Sequence, residues 1–243
     1  MNRIHPSTYN YSVLILIGKP CGKPKYNCSF CNCFAPFKSA YTLYTIGDCF
    51  AWHQAYVAAG SNAKQMDFQN FVNQPIITGP SDKLVLDLIN LPSLHMLLGV
   101  VDKIITTLEA ILFSSLGEGQ IWMDRVLKEV LHIGRKCKQG RQALEGNQAR
   151  KFIKSVELVE RELKKEKEEV IIKGLPLLEA AKSFNKVVEG CMGVELQPDW
   201  VVFIESFKEK YLATNMSVTP KVHMVFDYIT DFIKLKGDAH GLG

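Results

Sequence analysis

Apolar residues recur along most of this chain at intervals of three and four positions, the spacing that places side chains on one face of an α-helix. The clearest run begins after Pro92, and its apolar positions are Leu94, Leu97, Leu98, Val101, Ile104, Ile105, Leu108 and Leu112. The same spacing returns over residues 121–133, where Gly134 predicts the end of the helix. The pattern therefore predicts two amphipathic helices in the middle of the chain.

Further helices are predicted on both sides of this pair from periodicity and from glycine and proline as boundary residues. They cover residues 45–60, 65–72, 156–170, 177–191, 199–213 and 220–233. Gly174 and Pro176 are predicted to separate two of them, because proline lacks a backbone N–H and its ring clashes with the preceding turn. Residues 13–17, VLILI, are predicted to form one buried strand. The predicted fold class is mainly α, with a short β segment near the N-terminus.

The composition is that of an ordinary globular protein and indicates in which cellular compartment the protein is expected. Hydrophobic residues make up 47% and charged residues 22% of the chain, and the net charge of +4 permits an anionic partner without requiring one. The 7 cysteines are an odd number spread unevenly, unlike the framework of a small secreted domain. The run 13–17 is too short for a secretory signal, and no run approaches the roughly 20 apolar residues of a membrane span. We therefore expect a cytoplasmic or nuclear protein without a membrane partner.

The segment YNCSFCNC contains the chain's one CxxC pair, Cys28 and Cys31. Two thiolates at this spacing can bind one tetrahedral zinc ion from a tight turn. Reduced cysteines in a loop are the alternative, and a redox centre is less expected because no βαβ pattern surrounds the pair. Since no second CxxC occurs, further ligands must come from a distance.

His223 is the best distant candidate for a third ligand, although a lone histidine in an apolar helix also fits a core residue. Asp227 and Cys33 remain open as the fourth ligand, since carboxylates and thiolates both bind zinc. The position five residues after His223, where a second histidine would complete a Cys2His2 set, is Tyr228.

Residues 135–154 form a basic segment in which Glu145 is the single acid. The candidate phosphate contacts are Arg135, Lys136, Lys138, Arg141, Arg150 and Lys151. Such a run favours an anionic partner such as DNA, with a solvated surface as the alternative. No phosphate-binding loop, dinucleotide glycine pattern or Ser/His/Asp set is present in the sequence.

Four stretches taken together resemble one family. They are KYNCSFC at 25–31, LPSLHMLLG at 91–99, EGNQARK at 145–151 and VTPKVH at 218–223, the last followed by GLG at 241–243. In this order they resemble transposon-encoded proteins of invertebrates. More distantly they resemble the cut-and-paste transposases with an RNase H-like core and an inserted helical domain, which include the Transib transposase and the catalytic subunit of the V(D)J recombinase.

This resemblance implies a zinc site built from Cys28, Cys31 and His223, with Tyr228 at the position of the family's second histidine. It also implies three domain segments: residues 1–50 with the strand and the CxxC turn, 51–217 as the helical insertion domain, and 218–243 as a helix that returns to the zinc site.

The family's reaction is DNA strand cleavage and joining by three acids that bind two divalent ions. No Asp or Glu precedes the CxxC here, and the family's final Glu would follow the GLG. The resemblance therefore implies a catalytically incomplete, transposase-derived protein that binds DNA.

Two other functions stay open at the level of the sequence. The first is an interaction module that has lost DNA affinity, and the second is a metal-dependent nuclease that uses Asp48, Asp82 or Asp87. We rank the nuclease last because these acids lie in predicted helices and loops instead of on a sheet edge. A second copy of the chain, in a homodimer, is the other candidate partner.

Overall fold

The computed structural model describes residues 16–17, 19, 28, 30–33, 41–60, 63–138, 141–193 and 195–236. For 136–138 and 141–143 the description covers the backbone. The α-helices are α1 (Ile46–Ala59), α2 (Val85–Leu88), α3 (Ser93–Leu116), α4 (Gly119–Arg125), α5 (Gly146–Lys154), α6 (Val156–Leu163), α7 (Glu168–Cys191), α8 (Trp200–Ala213), α9 (Pro220–His223) and α10 (Ile229–Lys236). Gln65–Phe68 is a 3₁₀-helix, and Val126–Val130 and Met224–Tyr228 are π-helical turns. The prediction of a mainly helical protein is confirmed.

Helix α1 begins directly after Thr45, which caps its first turn. The Thr45 hydroxyl accepts from the Asp48 amide at 3.0 Å, while the Asp48 carboxylate accepts from the Thr45 amide at 2.9 Å. This reciprocal pair is a capping box, which satisfies two backbone donors that the helix leaves unpaired. Gly60 ends the helix with a positive φ of 84°. The predicted boundaries, 45–60, are therefore close to those observed.

Helix α3 lies in the centre of the core and packs against α4, α5, α7 and α9. Most of the predicted apolar stripe is buried, including Leu97, Val101 and Leu108. Leu98 is partly buried, and Leu94 is 47% exposed. Its side chain nevertheless covers the start of α5, where a β-carbon added to Gly146 would lie 2.6 Å from Leu94 Cδ1.

The prediction that Gly174 and Pro176 separate two helices was wrong, because both lie inside the continuous helix α7. The break falls earlier, between α6 and α7, at residues 164–167. A proline inside a helix lowers its stability by about 3 kcal/mol. In α7, the burial of apolar residues on both sides of Pro176 offsets this loss. A β-carbon on Gly174 would lie 2.7 Å from Leu163 Cδ2, so the glycine lets α6 and α7 approach closely.

Four aromatic side chains connect the C-terminal helices. Phe207 of α8 lies 4.9 Å from Phe184 of α7, 5.6 Å from Tyr211 and 5.4 Å from Phe226, measured between ring centroids. These contacts fix the π-helical turn Met224–Tyr228 against α7 and α8.

The predicted strand 13–17 lies mostly outside the described residues. Of its members the structure describes Leu16 and Ile17, and neither belongs to a strand. Ile17 is fully buried, and the carbonyl of Leu16 accepts from the amides of Ile76 and Ile77. The strands within the described ranges are β1 (Lys136–Lys138) and β2 (Arg141–Ala143), which pair antiparallel with Cys137 opposite Gln142.

One continuous hydrophobic core contains residues from Ile17 to Ile233. The division into segments 1–50, 51–217 and 218–243 therefore stays a prediction. Across the ranges that the structure covers, none of the helices combines the length and the apolar character needed to cross a membrane.

Replacing Phe207 by alanine is expected to lower the free energy of unfolding by about 3–5 kcal/mol, because the ring is fully buried among three others. Phe113→Ala is the matched control, since Phe113 is 67% exposed, and should change stability by no more than about 0.5 kcal/mol. Urea denaturation followed by circular dichroism measures both. Equal losses in the two variants would contradict this account of the core.

Candidate metal centre

The CxxC pair lies in a turn whose backbone directs both sulfurs to the same side. The Cys28 amide donates to the Cys33 carbonyl at 3.3 Å. The Phe30 amide points to the Cys28 sulfur at 3.4 Å, and the Cys33 amide to the Cys31 sulfur at 3.2 Å. Such N–H···S contacts favour the thiolate form that binds metals.

His223 reaches this turn from the start of the last helical segment. Thr219 caps α9 by accepting from the Val222 amide at 3.3 Å, and Pro220 occupies the first turn, where its missing N–H costs nothing. These features fix the beginning of the helix and place His223 in the core, 1% exposed.

Cys28, Cys31 and His223 form a buried group, called here the cysteine–histidine cluster, whose ligand atoms all lie within 4.8 Å of one another. The Cys31 sulfur is 3.5 Å from His223 Nε2. Ideal tetrahedral zinc, with bonds of about 2.3 Å to sulfur and about 2.0 Å to nitrogen, separates two such ligands by about 3.6 Å. The cluster can therefore hold a metal ion with little rearrangement.

The ring of His223 is oriented by a second layer of charges. Its Nδ1 lies 2.7 Å from Asp227 Oδ2, and the other oxygen of Asp227 accepts from Lys208 Nζ at 2.9 Å. This arrangement leaves Nε2 directed at the sulfurs. A histidine whose far nitrogen bonds a carboxylate is the usual form of a metal ligand.

The electrostatics favour one negative sulfur in the cluster. Burial alone would raise the pKa of Cys28, but hydrogen bonds with Cys31 and His223 hold it well below the usual range. Cys31 has a raised pKa because of its hydrogen bond with Cys28 and its burial. Burial alone would lower the pKa of His223, but Asp227 and Cys28 raise it to about 9. Because cysteine and histidine bind a metal in their deprotonated forms, a metal ion would displace the protons that now form the hydrogen bonds within the cluster.

Lys19 is a buried cation next to the cluster, and no sequence motif indicates it. It is 0% exposed, its Nζ donates to the Cys28 carbonyl at 2.9 Å, and it lies 4.4 Å from the Tyr44 ring centroid. Burial lowers its pKa to about 8, against the opposing effect of nearby cysteines. Among the described residues no carboxylate pairs with it. A buried positive charge of this kind requires negative charge nearby.

Of the two other ligands proposed from the sequence, neither joins the cluster. The sulfur of Cys33 lies too far away to share an ion with all three cluster residues. Asp227 contacts the opposite nitrogen of His223 and so orients the ring. Tyr228 is the residue that enters the site, with Oη 2.8 Å from the Cys28 sulfur and 3.0 Å from His223 Nε2.

The structure removes Arg135 from the set of candidate DNA contacts. Its side chain is 6% exposed and pairs with Glu109 at 2.6 Å and Asp124 at 3.2 Å. Lys136, Lys138 and Arg141 belong to the β1–β2 hairpin, where the described part is the backbone. On α5, Lys151 is exposed and Arg150 half-buried.

The three aspartates considered for a nuclease do not converge. Asp48 is engaged in the cap of α1, Asp82 lies in an exposed turn, and Asp87 is part of α2. Within the described residues, the cysteine–histidine cluster is the one group of three or more His, Cys, Asp or Glu side chains spaced to share an ion. The geometry gives the nuclease hypothesis no support.

The four stretches that carry the family resemblance lie next to one another in space. Cys31 and His223 join the first stretch to the last. Gly99 lies directly against the Lys221 side chain, and Leu94 lies over Gly146. A chain of contacts thus connects 25–31, 218–223, 91–99 and 145–151.

A comparison with protein-family models and with curated proteins finds no match to this chain. The resemblance to cut-and-paste transposases therefore depends on the sequence motifs.

Asp227→Asn is expected to weaken metal binding about 10–100-fold, because the amide no longer holds His223 with a negative charge. Asp67→Asn is the matched control, since Asp67 is exposed and makes the same change of charge. Competition with a metal-binding dye measures both affinities. Unchanged affinity in Asp227→Asn would show that the carboxylate does not support the ligand.

Proposed function

We propose that this chain is a transposase-derived helical module that a structural zinc ion stabilises, that binds DNA, and that lacks the acids for strand cleavage. The observation that carries the proposal is the cysteine–histidine cluster. Cys31 and His223 are 192 positions apart in the chain and meet at tetrahedral ligand spacing. A family that joins a CxxC turn to a distant histidine accounts for this contact.

Zinc is the metal that suits the donors. Two thiolates and one imidazole are the soft and borderline ligands typical of zinc sites. The site is also closed, since Cys28 and Cys31 are 0% exposed. Structural zinc sites are closed, whereas catalytic sites keep a position open to substrate. The ion's role is accordingly to stabilise the fold.

The contacts among the motif stretches also support the family assignment. The four stretches are far apart in the chain, yet a series of close contacts connects them in space. Unrelated local similarities give no reason for such an arrangement. A common ancestor that used the same contacts does.

The proposed DNA surface consists of the β1–β2 hairpin and the exposed side of α5. Lys136, Lys138 and Arg141 come from the hairpin, and Arg150 and Lys151 from α5. Gln148 of α5 donates to the Gly134 carbonyl at 2.5 Å, which holds the helix beside the hairpin's first strand. Arg135 has a different role, since its two ion pairs anchor the hairpin to α3 and α4.

Purified protein is expected to contain about one zinc per chain, and chelation is expected to destabilise it. At free zinc about 1,000 times the Kd, binding stabilises the folded state by about 4 kcal/mol. Cys31→Ser should lose the zinc, whereas Cys191→Ser should keep it, since the buried thiol of Cys191 donates to Trp200 outside the cluster. Elemental analysis measures the zinc content, and thermal unfolding with and without chelator measures the stability. Wild-type protein without zinc would refute the structural site.

Binding to duplex DNA is expected to weaken steeply with salt, as phosphate contacts release counterions. The double variant Arg150→Gln/Lys151→Gln should reduce the slope of log K against log salt by about 2. Lys165→Gln/Lys173→Gln removes the same charge at two lysines outside the proposed surface, each of which pairs with a glutamate, and should leave the slope unchanged. Gel shifts across a salt series give the slopes. Absence of binding at low salt would favour the interaction module over a DNA-binding protein.

A further inference from the structure

We propose that Tyr228 is the fourth ligand of the metal site, binding the ion through its phenolate oxygen. The proposal rests on the structural zinc site proposed above and specifies its coordination. Its basis is the position of Oη, 2.8 Å from the Cys28 sulfur and 3.0 Å from His223 Nε2. The hydroxyl of Tyr228 therefore contacts two members of the cluster at once.

A local departure from α-helical geometry places Tyr228 there. At about 100° per residue, a side chain five positions after His223 in a regular α-helix would point about 140° away from it. Met224–Tyr228 is instead a π-helical turn, in which the Ile229 amide donates to the Met224 carbonyl. The wider turn brings the residues four and five positions after His223 onto the same side of the helix as His223. Asp227 and Tyr228 therefore both reach its ring, one at each nitrogen.

The oxygen of Tyr228 requires only a small displacement to become a ligand. In a tetrahedral zinc site, a sulfur and an oxygen ligand are separated by about 3.5 Å. Oη would thus move away from Cys28 by less than about 1 Å. The ring is held for this position by edge contacts with Phe30 and Tyr41, each with centroids 5.6 Å away. It is 0% exposed, so its hydroxyl requires partners inside the protein.

The buried charges balance with this ligand set. Zinc with two thiolates and a neutral imidazole carries no net charge, and the phenolate adds one negative charge as its proton leaves to solvent. Lys19 supplies the compensating positive charge beside Cys28, and Asp227 and Lys208 compensate each other. Without an added anion, the fully buried Lys19 would be the uncompensated charge among these groups.

The test compares wild type with Tyr228→Phe, Tyr228→His and Tyr211→Phe. Tyr211→Phe is the matched control, because this tyrosine is equally buried and its hydroxyl donates to the Ser217 carbonyl at 3.0 Å. The readouts are zinc affinity by chelator competition, the visible spectrum of the cobalt-substituted protein, and the ultraviolet absorption change of tyrosine ionisation when metal is added. Circular dichroism establishes that each variant folds.

Tyr228→Phe should bind zinc at least 10-fold more weakly, change the cobalt spectrum and lose the tyrosine ionisation signal. Tyr228→His should restore affinity without that signal, and Tyr211→Phe should behave as wild type. If Tyr228→Phe retains wild-type affinity and cobalt spectrum, Tyr228 is a hydrogen-bonding neighbour and the inference is wrong. A wild type that binds no zinc instead overturns the metal site itself, and the fourth ligand with it. Failure of Tyr228→Phe to fold leaves the decision to Tyr228→His and the wild-type ionisation signal, whose absence contradicts the proposal.

Discussion

The contact between the CxxC turn and the last helical segment determines how the two ends of the described chain are held. It places two sulfurs, an imidazole, a carboxylate and two ammonium groups in or beside the core. Burying such groups is costly unless each is paired. The proposed metal ion would pair most of them at once, because it would bind both thiolates and the imidazole that Asp227 orients. The CxxC turn and the last helical segment are therefore joined by polar contacts in addition to hydrophobic packing.

The π-helical turn Met224–Tyr228 is the structural feature that makes this contact specific. π-turns are rare and are often found at functional sites. Here the turn presents Asp227 and Tyr228 to one histidine, while Phe226 packs against Phe207 in the aromatic cluster. Lys208 connects the same turn to α8 through Asp227. A change at the metal centre would thus be felt in the packing of α8 as well as at the CxxC turn.

The proposed DNA surface depends on a different set of interactions. Arg135, at the foot of the hairpin, is held by Glu109 of α3 and Asp124 close to the end of α4. Its charge is used inside the protein, and breaking one side of such a pair leaves a buried charge without a partner. Residues that look alike in a basic run can therefore differ in role. The exposed Lys151 is available to a phosphate, whereas Arg135 positions the strand that precedes the other basic residues.

The sequence by itself determined the helical class, the bounds of α1, α3 and α8, and the three residues of the cluster. Period, glycine boundaries such as Gly60, and the spacing of Cys28 and Cys31 are local properties that the sequence displays directly. The sequence misjudged Pro176, because packing around α7 outweighs a local penalty, and Arg135, because its acidic partners lie on other elements. It did not indicate Lys19, and it marked Tyr228 only as the position where a second histidine would complete the zinc site. The tertiary structure places both beside the cluster, because a π-turn and a contact over 200 positions in the chain are set by packing and cannot be inferred from local spacing.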